Sequence, residues 1–154
     1  MFTIENLDEI RNKKGFICDM DGVIYHGNRL LPGVKEFVEW LYKEDKKFLF
    51  LTNSSDRSPR DLQQKLQRMG LDIDETHFYT SAQATARFLN SQSPGCSAYV
   101  MGEAGLMNAL YEVGITMNDS TPDYVVIGEP KSYNYEMIIK AVKLIQNGAK
   151  LVAT

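Results

Sequence analysis

The stretch Phe16-Ile17-Cys18-Asp19-Met20-Asp21-Gly22-Val23-Ile24-Tyr25 decides how the rest of the chain is read. It opens as a short apolar run of the kind that forms a buried parallel strand. At the end of that run the chemistry changes, with Asp19 and Asp21 one residue apart and Gly22 directly after. Carboxylates held that close repel each other, so the pair destabilises a fold unless something offsets the charge. A hard divalent cation does so, and such cations commonly join carboxylates to substrate phosphate. An EF-hand calcium loop fails on spacing, because Ile24 and Leu30 stand where it needs its glycine and its glutamate.

Working outward, Leu31-Pro32-Gly33 ends the segment, and Val34, Phe37, Val38 and Leu41 then mark one apolar face of a helix. Trp40 sits beside that stripe as core filler, and the charged run Lys43 to Lys47 reads as a solvated end. Phe48 to Leu51 is a second apolar strand that breaks into Thr52-Asn53-Ser54-Ser55. Ser58-Pro59-Arg60-Asp61 starts another helix, with Ser as N-cap, Pro in the first turn and an acid after it. Leu62, Leu66 and Met69 form its buried stripe and Gly70 closes it. Phe78 to Thr80 is a brief extended piece before a helix over Ser81 to Asn90.

From Cys96 onward the chain repeats itself weakly. Ala98-Tyr99-Val100-Met101-Gly102-Glu103 leads into a helix carrying Leu106, Leu110 and Val113, ended by Gly114. Tyr124-Val125-Val126-Ile127-Gly128-Glu129 leads into one carrying Ile138, Ile139, Val142 and Ile145, ended by Gly148. Strands that alternate with helices predict α/β architecture, with parallel sheets and right-handed crossovers. The break at Ser91-Gln92-Ser93-Pro94-Gly95 places a domain boundary between Ser81 and Gly95. Lys150 to Thr154 reads as one more strand beginning, so the pattern looks unfinished there.

Composition narrows the function. Of 154 residues, 44% are hydrophobic and 24% charged, which suits a folded globular chain. A net charge of −3 argues against non-specific nucleic-acid binding. The first residues are charged throughout and lack a signal peptide's apolar core. No apolar run approaches the roughly 20 residues of a membrane helix. Cys18 in the strand and Cys96 in a Ser-Pro-Gly loop, without CxxC spacing, read as reduced cytoplasmic thiols, with Cys18 buried rather than reactive.

In open α/β sheets, ligands bind at the carboxyl ends of strands, where Asp19 and Thr52 both fall. If the two strands are parallel neighbours, both residues face one crevice. Asp19 can then attack phosphorus and form an aspartyl-phosphate. Asp21 can protonate the leaving oxygen and later deprotonate the attacking water. Gly22 lets the loop bend so that backbone N–H groups approach phosphoryl oxygens. The Thr52 hydroxyl and the amide groups of Asn53 and Ser54 add neutral donors.

At this point the residues carry a resemblance. Asp19 to Phe37, Phe50 to Ser55, Phe78 to Thr85, Tyr124 to Ala141 and Asn147 to Thr154 together resemble the NagD-like phosphatases of the haloacid dehalogenase superfamily. The resemblance runs from about Lys14 to Thr154. It implies a Rossmann-like parallel-sheet core, here residues 1–81, into which an α/β cap domain is inserted, here residues 82–154. It implies Asp19 as nucleophile and Mg²⁺ ligand, and Asp21 as general acid/base that gives its backbone carbonyl to the metal. Thr52, Asn53 and Ser54 match the phosphate-binding second motif. Family members continue past Thr154 with a phosphate-neutralising lysine and a second acidic segment, so a chain ending there is expected to be far less active than a full-length relative.

The implied substrate is a small phosphorylated metabolite: a sugar phosphate, a nucleotide monophosphate or an aryl phosphate. Neither nucleic acid nor membrane is implied as a partner, and an unfinished sheet edge invites pairing with a second copy. The rival readings are a phosphotransferase or mutase of the same superfamily and a non-catalytic binding module. His26 and His77 are expected at the surface, without a catalytic role. Glu103 and Glu129 are expected to place negative charge at helix N-termini or to touch substrate. Tyr133 and Tyr135 either line the inner face of the cap or simply pack.

Overall fold

The computed structural model describes the backbone of residues 4–154 and the side chains of residues 7–154. A helix, α1 (Ile4–Arg11), precedes β1 (Gly15–Asp19) and a small hairpin of β2 (Tyr25–His26) and β3 (Arg29–Leu30). Then come α2 (Val34–Lys43), β4 (Lys47–Thr52), α3 (Pro59–Arg68), β5 (Phe78–Thr80) and α4 (Ser81–Gln92). The second part comprises β6 (Ser97–Met101), α5 (Ala104–Glu112), β7 (Thr116–Met117), β8 (Tyr124–Ile127), α6 (Tyr135–Gln146) and β9 (Lys150–Ala153). Helix α1 was not legible from hydrophobic pattern, since it is held by spacing of charge: Asp8 pairs with Arg11, and Glu9 with Lys13 just beyond the helix.

Strands β1, β4 and β5 form one parallel sheet in that order, and β7, β6, β8 and β9 a second parallel sheet. The brief extended piece at Phe78 is thus a true third strand of the first sheet. Strand alternation sends Phe16, Cys18, Phe48, Phe50 and Phe78 to one face, where Val34, Val38 and Leu41 of α2 and Leu62 and Leu66 of α3 cover them. Phe16 packs edge-on against both Phe37 and Trp40, so Trp40 fills core as its position beside the stripe suggested. On the opposite face Ile17 is 71% exposed and Leu51 is also exposed, while Leu49 and Tyr79 are half-buried. Helix α3 starts with a full capping box between Ser58 and Asp61, as its sequence predicted.

A second capping box starts α4. The Gln83 N–H donates to Thr80 Oγ1 at 3.2 Å, and the Thr80 N–H donates to Gln83 Oε1 at 3.1 Å. Thr80 is buried, so replacing it with the near-isosteric valine removes the cap without opening a void. Thr80→Val is expected to lower stability by about 1 kcal/mol, read from the urea midpoint.

In the second sheet, α4 and α5 cover one face through Ala82, Ala86, Leu89, Leu106 and Leu110. Helix α6 covers the other, with Ala141 and Leu144 against Tyr99, Met101 and Val125. This corrects the expected stripe, because Ile138 and Val142 are each 45% exposed. The helix is apolar round much of its circumference, and the small Ala141 lets it approach the sheet more closely than a bulkier face would. The repeat is also less regular than expected. Glu103 is the N-cap position of α5, but α6 begins only at Tyr135, capped by the Asn134 side chain accepting the Met137 N–H at 2.8 Å. Glu129 therefore stands in a loop rather than at a helix start.

Two further expectations change. His77 is half-buried, stacked on Phe48 with centroids 3.9 Å apart, and its Nδ1 lies 3.0 Å from the Phe48 carbonyl oxygen. It is a packed residue at the sheet margin, because the strand that follows it pulls its ring onto β4. Cys96 stands at the end of the Ser-Pro-Gly loop as its sequence indicated, but is buried against the second sheet, and burial pushes its thiol pKa up. Cys18 is half-buried in β1, its pKa likewise raised by burial. No helix of the described residues is long and apolar enough to cross a membrane.

Candidate active site

The register of the first sheet sets the site. Asp19 ends β1 directly opposite Leu51, and Thr52 is the next residue of the neighbouring parallel strand. Both expected residues therefore reach the same carboxyl edge of the same sheet. Asp19 is exposed and its Oδ1 accepts the Met20 N–H at 2.8 Å. Met20 is fully buried, and its carbonyl accepts the N–H groups of Val23 at 3.2 Å and Ile24 at 2.8 Å, closing a tight turn. Gly22 makes that turn possible with a φ of 78°. Its N–H donates inward to the Tyr25 carbonyl at 2.8 Å rather than toward the crevice.

Asp21 is held by a residue that the sequence did not single out. The hydroxyl of the buried Tyr25 donates to Asp21 Oδ2 at 3.3 Å. Burial first, then the nearby Asp21 charge, pushes the Tyr25 phenol up to about 12, so it stays a donor through the neutral range. The Lys65 ammonium of α3 lies 3.6 Å from the Tyr25 ring centroid, a cation–π contact. Burial and then the Arg57 charge hold the Lys65 pKa below the ordinary lysine value, while Asp21 and Asp56 oppose the shift. Removing the hydroxyl with Tyr25→Phe is expected to keep the fold and to release the Asp21 carboxylate from its tether, read as a shift of the Asp21 side-chain carboxyl resonance.

The loop after β4 is more committed than its sequence suggests. Thr52 is buried, and its Oγ1 accepts the Ser54 N–H at 3.1 Å, leaving the Thr52 hydroxyl proton able to donate. The Ser54 hydroxyl donates to Asp56 Oδ1 at 2.6 Å, so both donors of Ser54 are spent inside the loop. Asn53 is exposed, with its carbonyl accepting the Ser81 hydroxyl at 2.8 Å. Beyond it, Ser55 is fully buried and meets the carboxyl end of the second sheet. Glu103 there accepts the Lys131 N–H at 2.8 Å, and the exposed Tyr133 donates its hydroxyl to the Gly128 carbonyl at 3.3 Å. Tyr135 is exposed and His26 lies on the exposed side of the hairpin.

For a cation, the strand end offers the Asp19 carboxylate, to which the family resemblance adds the Asp21 backbone carbonyl. No cluster of three or more His, Cys, Asp or Glu side chains placed to hold a metal ion occurs among the described residues. Two hard oxygen donors suit Mg²⁺, which keeps several waters and takes substrate phosphate as a further ligand. A cleft of about 940 Å³ lies elsewhere, against Leu49, Arg60, Tyr79, Arg87 and Tyr111. It is open and contains neither aspartate, so strand-end chemistry rather than cleft size locates the candidate site.

Comparison with known proteins identifies the family. Residues 16–116 match the family model described as haloacid dehalogenase-like hydrolase. The ribonucleotide monophosphatase NagD of Escherichia coli K12 is 42% identical over 141 residues, covering 92% of this chain and 56% of that protein. The 4-nitrophenylphosphatase structure from Thermotoga maritima superposes with a TM-score of 0.88 at 33% identity, over 94% of this chain and 55% of that one. A glycerol phosphate phosphatase from Mycobacterium tuberculosis, solved in complex with magnesium, gives a TM-score of 0.83 at 26% identity, over 91% of this chain and 43% of that one. The chain thus spans little more than half the length of NagD, at 56%. With the DMDG turn, the TNSS loop and the match from residue 16 to 116 in agreement, the chain is a NagD-like member of the haloacid dehalogenase-like hydrolases.

Proposed function

We propose that this chain hydrolyses small phosphate monoesters through a phosphorylated Asp19, with residues 1–81 as catalytic core and 82–154 as a cap domain that meets the leaving group. The observation that carries the reading is the in-register pairing of β1 with β4, which puts Asp19 and Thr52 at one strand edge. The named relatives act on a ribonucleotide, an aryl phosphate and a glycerol phosphate, so the shared substrate is a small monoester rather than one metabolite. The net charge of −3 fits a small-molecule substrate, and the cytoplasm is the proposed location.

In the first half-reaction a carboxylate oxygen of Asp19 attacks phosphorus, the ester P–O bond breaks, and Asp21 gives its proton to the leaving alkoxide. In the second, Asp21 takes a proton from water, the water oxygen attacks the same phosphorus, and Asp19 is released with inorganic phosphate. Tyr25 orients the Asp21 carboxylate for both transfers. The Thr52 hydroxyl and Asn53 donate to phosphoryl oxygens, while Ser54 shapes the loop through its bonds to Thr52 and Asp56. The Asp19 carboxylate and the Asp21 backbone carbonyl would hold Mg²⁺, which would supply charge neutralisation for phosphoryl transfer.

The test is release of inorganic phosphate from 4-nitrophenyl phosphate with and without magnesium. Turnover that needs magnesium supports the reading. Transfer of phosphate to an added sugar hydroxyl in preference to water favours a phosphotransferase, and ester binding without turnover favours a binding module.

A further inference from the structure

We infer that Ser55 is a positioning residue through which the second sheet fixes the shape of the Thr52–Ser54 loop, an inference that rests on that loop binding phosphate. Ser55 is 0% exposed although it lies in a loop of small polar residues. Its Oγ accepts the Glu129 N–H at 3.2 Å and the Thr154 hydroxyl at 3.0 Å. Glu129 follows β8 and Thr154 follows β9, so one hydroxyl ties the loop to the ends of two strands far away in sequence.

The glycines around it show that the fit is tight. A Cβ on Gly128 would lie 2.8 Å from Ser55 Oγ and 2.8 Å from Leu106 Cδ2. A Cβ on Gly102, its counterpart in the repeat, would lie 2.7 Å from the same Leu106 atom. The repeated glycine of the two Gly-Glu turns is thus explained by close packing, not by turn conformation, since neither has a positive φ. The Gly105 N–H donates to the Asp56 carbonyl at 3.2 Å, and a Cβ there would lie 2.6 Å from the Arg57 backbone.

The line of force is short. Asp56 accepts the Ser54 hydroxyl at 2.6 Å, and Ser54 donates its N–H to Thr52 Oγ1, Thr52 following the residue that pairs with Asp19. Small polar loops have many accessible shapes, and each pinned residue must offset its lost backbone entropy. Ser55 and Asp56, fastened to β8, β9 and the start of α5, remove that freedom just beyond the phosphate donors. Whatever displaces the second sheet therefore displaces the loop.

The experiment follows backbone amide resonances of Asn53 and Ser54 in the 154-residue chain during titration with inorganic phosphate in magnesium chloride, for wild type, Ser55→Ala and Thr154→Val. Ser55→Ala is expected to shift both amides before any phosphate is added and to weaken phosphate affinity about fivefold or more, the effect of a lost buried hydrogen bond. Thr154→Val, nearly isosteric, is expected to act in the same direction by about twofold, and it decides the matter if Ser55→Ala fails to fold. A lowered melting temperature with phosphate affinity and both amides unchanged would overturn the inference. Should wild type show no phosphate-dependent shift at residues 52–54, the phosphate reading falls on its own. Faster amide exchange of Asn53 and Ser54 in Ser55→Ala would still support the tether, and unchanged exchange would refute it.

Discussion

Asp19→Asn is expected to lower magnesium-dependent hydrolysis of 4-nitrophenyl phosphate by about a million-fold, the scale seen when a covalent nucleophile is removed. Asparagine keeps the shape of the side chain and can still accept the Met20 N–H that Asp19 Oδ1 receives at 2.8 Å. What it loses is the negative charge and the oxygen proposed as nucleophile, so the fold should survive while the proposed phosphoryl acceptor disappears. Asp21→Asn should cost less, about a hundredfold to ten-thousandfold, because only proton transfer is lost. Comparing initial rates and melting curves for the pair separates chemistry from stability. Equal residual activity in Asp19→Asn and wild type would mean that another group takes the phosphoryl.

Gly105→Ala is expected to destabilise the chain by about 2–3 kcal/mol, at the upper part of the range for overpacking a tight site. The new methyl would fall 2.6 Å from backbone atoms of Arg57 and 2.7 Å from the Asp56 carbonyl carbon. Backbone cannot rotate aside as a side chain can, so α5 and the loop must separate and the Gly105–Asp56 hydrogen bond lengthens. Gly22→Ala makes an informative contrast. Its φ of 78° strains any L residue, but nothing lies within 4 Å of the added methyl, and about 1 kcal/mol is expected. Urea denaturation of both variants reads the difference. Equal midpoints would mean that the loop and the second sheet are not in contact as described.

What could be read from the sequence was what local pattern determines. The runs Phe16 to Cys18 and Phe48 to Leu51 became β1 and β4, and the apolar stripe of α2 buries Val34, Val38 and Leu41 as its spacing required. Asp19 and Thr52 were placed correctly at strand ends, because a run of apolar residues that stops at polar ones marks the end of a buried strand. The buried face of α6 was not legible, since a helix apolar on several sides offers more than one stripe and only the sheet selects among them. Tyr25 and Lys65 went unnoticed because their contact joins the turn after β1 to α3, and no local spacing encodes it. Ser55 was hidden for the same reason. In sequence it is one serine beside another, and its partners lie beyond β8 and β9.

The most direct test is chemical trapping of the acyl phosphate. The chain is mixed with magnesium and 4-nitrophenyl phosphate, quenched with borohydride, digested and mapped by mass spectrometry. A phosphorylated aspartate is reduced to homoserine, and homoserine is expected at position 19 alone, absent from Asp19→Asn. Homoserine at position 21 or 56, or none at position 19 while phosphate is being released, would contradict the assignment of Asp19 as nucleophile.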